Sequence, residues 1–285
     1  LKLNIDVLLV GMSGVAKQNN IRTVLQDIIK PLPNKICVAT SGGIDSSSVV
    51  LSALDLGKEV QIISFTFADW LSHDFKSARK LATKFNLRFV PVYLPTKTDE
   101  IVETVKHLIK KVGCKKKTAI ECLFPFYYLV KVMKRYKFET LVTGVAADGH
   151  FGLSKKAMIH YSKDDQKFKK FRQDYFSNLE SAGTKRLIKL CELNKINLCN
   201  PYFEPAVFSL WIDKNWQELN KPRQKEVIRK YYPELDDLKI KPHTNLQLGD
   251  SKIAHRVGNA VISKYKLNAK SPIGIYNRIA KGIYA

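Results

Sequence analysis

The sequence predicts an α/β fold, a doubly wound and mostly parallel sheet flanked by helices, followed by a helical, basic C-terminal part. Three observations carry it. Short apolar, β-branched runs alternate with longer stretches of helical spacing between about residues 35 and 144. Two of the apolar runs stop abruptly in glycine, at Gly42–Gly43 and at Gly144, as strands do where they turn into a loop. Finally, 285 residues with 45% hydrophobic and 26% charged are long enough for a substantial core and globular in composition.

The first strand is read at Ile36–Ala39, and apolar spacing resumes as a helix at Val49–Leu54. Between them stands "SGGIDSSS", a polar insert where a strand turns into a helix. That is a phosphate-binding position, because the first N–H groups of the helix point outward and carry the positive end of its dipole. Gly42 and Gly43 permit a tight turn and close backbone approach, while Ser41, Ser46 and Ser47 add hydroxyl donors. A helix cap needs one such residue, whereas four, Asp45 to Ser48, follow the two glycines. Asp45 is the odd member: a carboxylate beside a phosphate repels it unless a cation lies between, so Asp45 is read as a magnesium ligand.

The next strand is "EVQIISFTF", about Val60 to Phe67, followed by a helix whose Phe75, Ala78, Leu81, Ala82 and Phe85 share a face. Then come the strand "RFVPVYL", helices around "TDEIVETVKHLIKKV" and "CLFPFYYLVKVMKRY", and the strand "ETLVTG". Right-handed βαβ crossovers join such elements, and ligands bind outside the carboxyl ends of the strands. Both Ser41–Gly43 and Ser64–Phe67 fall at ends of that kind.

Lys and Arg number 48 against 26 Asp and Glu, a net charge of +22. Such an excess fits a polyanion such as tRNA or DNA, since phosphates release counterions when cations approach, and it equally fits a solvated basic face. The basic stretches are 110–117, 166–176 and the segment after Asp237, where Asp250 is the only acid. Residues 166–176 read either as a nucleic-acid track with interleaved aromatics or as an amphipathic helix burying Phe168, Phe171 and Tyr175. Five cysteines without a CxxC pair argue against disulfides and against a zinc or iron–sulfur site. No apolar run approaches a membrane span and no signal-like segment opens the sequence, so a cytoplasmic protein with no membrane partner is expected.

"SGGIDSS" resembles the pyrophosphate loop of the N-type ATP pyrophosphatases, in the form found in the synthetase domain of the asparagine synthetase and β-lactam synthetase family. "LVTGVAADGHFGLSKK" at 141–156 is similar to a second stretch of that family, with Gly144, Ala147, Asp148, Phe151 and Gly152 on its identities. The resemblance implies a fold of the HUP-like pyrophosphate-loop type, with ATP as substrate and Mg2+ as its cofactor. Ser41, Gly42, Gly43, Asp45, Ser46 and Ser47 would hold the β and γ phosphates, Ser64 and Phe65 would read the adenine edge, and Gly144 would border the nucleotide. Asp148 would join Asp45 on the metal. "CNPYFEPAVFSL", with Glu204 in place of an aspartate, and the segment from Lys221 to Gly249 are looser matches. On that register Lys225 and Arg229 support a helix, and Lys241, with Lys239 as a competitor, neutralises the α-phosphate in the transition state.

Residues 1–30 are then an N-terminal extension, 31–160 the ATP-binding core and 161–285 a mainly helical substrate-side region continuous with it. Two departures stand out: Val145 and Gly149 replace acids of the family, and the first of these orients the attacking amine there. His150 is the remaining acid–base candidate beside Asp148. The leading function implied is an AMP-forming ligase that adenylates a carboxylate or carbonyl and passes it to an amine. No glutaminase-like segment precedes the loop, so ammonia or an amine is expected from outside, or from a partner subunit, and a homo-oligomer is open. The alternatives are a modifying enzyme of tRNA, DNA or a nucleobase precursor, and a non-catalytic nucleotide-binding subunit. Thiolation is the weaker form of the first alternative, because Cys114, Cys122 and Cys199 form no recognisable pair.

Overall fold

The computed structural model describes residues 20–153, 155–177, 184–238, 240, 246, 249–265 and 271–284. Five strands form one sheet: β1 (Lys35–Ala39), β2 (Glu59–Phe67), β3 (Arg88–Leu94), β4 (Thr140–Thr143) and β5 (Asn197–Cys199). Their spatial order is β3-β2-β1-β4-β5 and every pairing is parallel. The chain winds outward from β1 through β2 to β3, then returns to lay β4 on the other side of β1. The crevice between β1 and β4 is therefore the topological switch point, where such sheets bind ligands. Pro91 is accommodated because β3 is an edge strand, where one side of the backbone needs no ladder partner.

Alternation along the strands divides the core in two. Ile36 and Val38 of β1, with Val60 and Ile62 of β2, face one side of the sheet; Cys37 and Ile63 face the other. The first side is covered by α1 (Ile21–Ile29), α2 (Ile44–Asp55) and α3 (His73–Lys84). The helix α1 lies in the stretch assigned above to an extension, yet its Ile21, Val24, Leu25 and Ile29 are all buried. Each contributes about 1.5–3 kcal/mol of burial. Asn20 starts it with a capping box, accepting from the Thr23 N–H while Thr23 answers to the Asn20 backbone.

The opposite side carries α4 (Thr98–Lys110) and α5 (Lys117–Arg135), against which the C-terminal helices α13 (Ile253–Lys264) and α14 (Ile273–Ala280) pack. Between β4 and α13 the chain forms α6 (Asp148–Phe151), α7 (Lys155–Tyr161), α8 (Asp165–Ser177), α9 (Thr184–Leu193), α10 (Pro205–Trp211), α11 (Trp216–Asn220) and α12 (Glu226–Arg229). The three-residue strand β5 interrupts a region expected to be mainly helical. No described helix is long and apolar enough to cross a membrane.

Candidate nucleotide-binding site

Gly42 and Gly43 close β1, and α2 begins at Ile44, so the loop lies where the sequence places it. Gly42 has φ +72°, and a Cβ there would come within 2.5 Å of the Ser77 backbone carbon on α3. Only glycine satisfies both demands. The serines hold the turn: Ser41 Oγ accepts from the Gly43 N–H at 3.2 Å, and Ser46 Oγ accepts from the Ser41 N–H at 3.3 Å. Ser48, one residue beyond the loop, is fully buried and shares a 2.7 Å hydrogen bond with the Tyr202 hydroxyl. The loop is thus fastened from below by the "NPYF" segment.

Gly144 ends β4 and fits directly against this loop, a Cβ there falling 2.9 Å from the Ser46 nitrogen. That close approach brings the two aspartates together. Asp45, in the first turn of α2, and Asp148, the first residue of α6, meet at one point that is occupied by the ammonium of Lys225. Lys225 Nζ lies 2.5 Å from Asp45 Oδ2 and 2.7 Å from Asp148 Oδ1. The lysine is 3% exposed and its backbone is left-handed, φ +61°. Its N–H donates to Asn220 Oδ1, and Asn220 in turn donates to the Phe151 and Trp216 carbonyls. Burial works to lower the Lys225 pKa, but the pull of Asp148 and Asp45 outweighs it and the group stays charged, its pKa above the ordinary lysine value. Lys225 was read from sequence as support for a helix; the structure puts it at the centre of the site.

Two cavities open on this point. One of about 420 Å³ is lined by Ser41, Gly42, Gly43, Asp45, Lys225 and Arg229, a space with a glycine floor, two cations on its wall and the acids Asp74 and Asp250 at its border. The second, about 210 Å³, runs over Ser46, Ser64, Phe65, Gly144, Val145 and Asp148. Ser41, Asp45 and Asp74 border both. Every nucleotide-site residue read from sequence except Ser47 lines one of these spaces; Ser47 is fully buried behind the loop. Lys241 and Lys239 lie outside the described residues.

Among the described residues no three His, Cys, Asp or Glu side chains gather as a metal site. The donor set still fits one magnesium ion. Asp45 and Asp148 converge on a single cation position between the two cavities, and a magnesium ion held there would take the place of the Lys225 ammonium, which would turn to the phosphates.

His150 is not the acid–base group that its neighbour suggested. It is fully buried, stacked on Phe176 at 4.2 Å between centroids, and its Nε2 lies 2.8 Å from the Tyr202 carbonyl, which fixes that nitrogen as the donor. Burial, opposed in part by that hydrogen bond, pushes its pKa down to about 3. An unfolded histidine binds its proton near pH 6.5, so the unfolded state gains protons first as pH falls. The contribution of His150 is therefore complete above pH 6.5 and shrinks by about 1.4 kcal/mol for each unit below it. Urea midpoints at pH 7.5 and pH 5 are expected to differ accordingly, and His150→Gln, which keeps the donor without titrating, is expected to narrow the difference. An unchanged pH dependence in that variant would contradict the assignment.

Gly149 and Tyr175 make a second local exchange. A Cβ on Gly149 would lie 2.2 Å from a ring carbon of Tyr175. Tyr175, from α8, fills the space beside Asp148 that a side chain at 149 would need. The cysteines offer no nucleophile: all five are free thiols, and burial pushes Cys122 up to about 11 and Cys199 up to about 12.

Residues 166–176 are the amphipathic helix of the two readings. Arg172 is 1% exposed and donates to the carbonyls of Trp211, Ile212 and Lys214. Lys167, Lys169 and Lys170 pair with Asp164, Asp213 and Asp174 at 2.8, 2.6 and 3.3 Å. Phe168 and Phe176 are buried, and Phe171 and Tyr175 are half-buried.

A parallel sheet with a glycine–serine loop at its switch point, and a second loop from β4 pressed against it, defines an α/β nucleotide-binding domain of the pyrophosphate-loop type. Residues 33–250 match the family of asparagine synthase, and the chain belongs to that family. Membership places it among ATP-dependent synthetases. Of solved structures, the NMN synthetase from Francisella tularensis aligns over 87% of this chain and 94% of its own, at 14% identity and a TM-score of 0.33. A comparison with curated proteins gives no match.

Proposed function

We propose that the protein is an AMP-forming ligase that adenylates a carboxylate with ATP and transfers the acyl group to an amine. The convergence of Asp45 and Asp148 between the two cavities, beside the glycine–serine loop, is the observation that supports this most strongly. A carboxylate oxygen attacks the α-phosphorus, the bond to the bridging oxygen breaks, and pyrophosphate leaves with the electron pair. The amine nitrogen then attacks the acyl carbon, AMP departs, and the proton from nitrogen passes to solvent.

In this reading the Ser41–Ser47 backbone and the Ser41 and Ser46 hydroxyls bind the β and γ phosphates, and Lys225 and Arg229 offset their charge. Ser64 and Phe65 flank the adenine, with Gly144 keeping β4 close to the nucleotide. Asp45 and Asp148 would hold magnesium, which draws charge from the leaving pyrophosphate. Lys241 serves the α-phosphate. Val145 leaves the acceptor end apolar, beside Phe126 and Leu246, so residue 145 neither orients nor deprotonates the amine. An amine that arrives neutral, or ammonia, suits such a wall.

The test is the position of cleavage. ATP labelled at the α and γ phosphates, incubated with candidate carboxylates and ammonia, is expected to give labelled AMP and labelled pyrophosphate. ADP and phosphate as coupled products would remove the reading. ATP binding without turnover on any acceptor would favour a nucleotide-binding partner subunit instead.

A further inference from the structure

A groove of about 550 Å³ runs between α4 and α5, away from the nucleotide cavities. Lys106, His107, Lys110 and Lys111 line it from α4, and Tyr127, Tyr128 and Lys131 from α5; Glu100, Glu103 and Thr104 border it as well, so its four lysines outnumber its two acids. The helix α5 is a shared wall. Phe126 faces the nucleotide cavity, and its two successors, each turned about 100° further round the helix, face the groove.

Two properties set this groove apart. Its cations are available: Lys106 is held by Glu103 at 2.9 Å, but Lys110, Lys111 and Lys131 are exposed and have no carboxylate partner among the described residues. The lysines of α8, by contrast, each sit on an aspartate. Its rings are also arranged. Lys131 Nζ lies 4.2 Å from the Tyr127 centroid, the rings of Tyr127 and Tyr128 meet edge to face at 5.2 Å, and His107 lies 5.0 Å from Tyr127. Exposed Lys115 and Lys116 at one end of α5, and Lys134 and Arg135 at the other, extend the positive surface along the helix.

We propose that this groove binds single-stranded nucleic acid, with Lys110, Lys111 and Lys131 on phosphates and Tyr127 as a stacking platform for a base. Charge complementarity selects a polyanion, and the half-buried rings beside the cations select one with flat, unpaired bases. A duplex offers its phosphates but keeps its bases stacked on each other, so it would leave the tyrosines unused. His107 fits the same reading: burial and the charges of Lys131 and Lys111 lower its pKa, so it faces the groove as a neutral ring at pH 7. The groove lies about one helix diameter, roughly 10 Å, from the nucleotide cavity, and acts as a docking surface rather than a reaction site.

The experiment is fluorescence anisotropy of the full chain with labelled single-stranded DNA and RNA of mixed sequence, across a salt series and without ATP. Binding is expected to weaken with salt at a log–log slope of about −0.7 per phosphate contacted. K110Q/K111Q/K131Q is expected to flatten that slope by about two units, and Tyr127→Ala to weaken binding about tenfold at fixed slope. K167Q/K169Q/K170Q on α8 is expected to change neither, and ATP binding by all three variants reports their folding. Absence of binding at low salt, tighter binding to duplex, or equal effects of the two lysine triples would overturn the proposal. Because no turnover is measured, failure here leaves the ligase reading untouched.

Discussion

Asp45→Asn and Asp148→Asn are each expected to lower substrate-dependent pyrophosphate release by about a thousandfold while leaving the protein folded. An amide keeps the size of the side chain, and its oxygen still accepts from Lys225, so the packing between the two loops survives. What it loses is the charge. The ligand set proposed for magnesium would fall to one carboxylate, and the phosphates would lose their link to the loop. Circular dichroism and pyrophosphate release, measured together at ordinary magnesium, decide the matter. Turnover within tenfold of the parent in either variant would mean that the two acids are structural only.

Lys225→Met carries the second large effect. Without the ammonium, two carboxylates face each other about one cation apart, and stability is expected to fall by about 2–3 kcal/mol. That figure lies below the range for a fully buried pair, because the Asp148 side chain is 48% exposed and water screens it. Magnesium then becomes a stabilising ligand of the folded state. Titrating it is expected to raise the Tm of the variant by several degrees more than that of the parent, in which Lys225 already sits between the acids. Pyrophosphate release is expected to fall as well, since a cation on the wall of the phosphate cavity is gone. Equal responses of variant and parent to magnesium would show that the acids do not form one cation site. The pH dependence gives a further check: the folded pKa of Lys225 is raised, so its contribution is whole below about pH 10.5 and fades as pH rises beyond.

The sheet and the nucleotide loops were legible in the sequence because backbone geometry forces particular residues there. A positive φ against the α3 backbone admits only Gly42, and a parallel strand buried on both faces must be apolar throughout, as Ile36–Val38 is. Lys225 was not legible in the same way. It reaches Asp45 from 180 positions away, through a left-handed residue held by Asn220, and nothing in its immediate neighbours marks that path. The family register pointed to a helix at "KEVIR", which exists as α12, but not to the side of the chain on which its first lysine falls.

Burial was the other hidden variable. Composition counts Arg172 among 48 basic residues, yet three backbone carbonyls take its donors inside the protein. His150 likewise looked reactive beside an aspartate and proved to be walled in by Phe176 and Trp211. In both cases the partners that enclose the group come from segments 26 to 61 residues further along, beyond any local pattern. The helix α1 and the three-residue β5 were missed for a different reason. Each is short, and each is held by tertiary burial rather than by a strong signal of its own.

The contact between Gly149 and Tyr175 couples the two positions. A side chain cannot be introduced at 149 while the tyrosine ring stands 2.2 Å from where its first carbon would go. A side chain at 149 therefore needs the Tyr175 ring to swing aside or to be replaced by something smaller. For anyone redesigning the acceptor side, the starting point is a library at 149 and 175 together, because the two positions share one space.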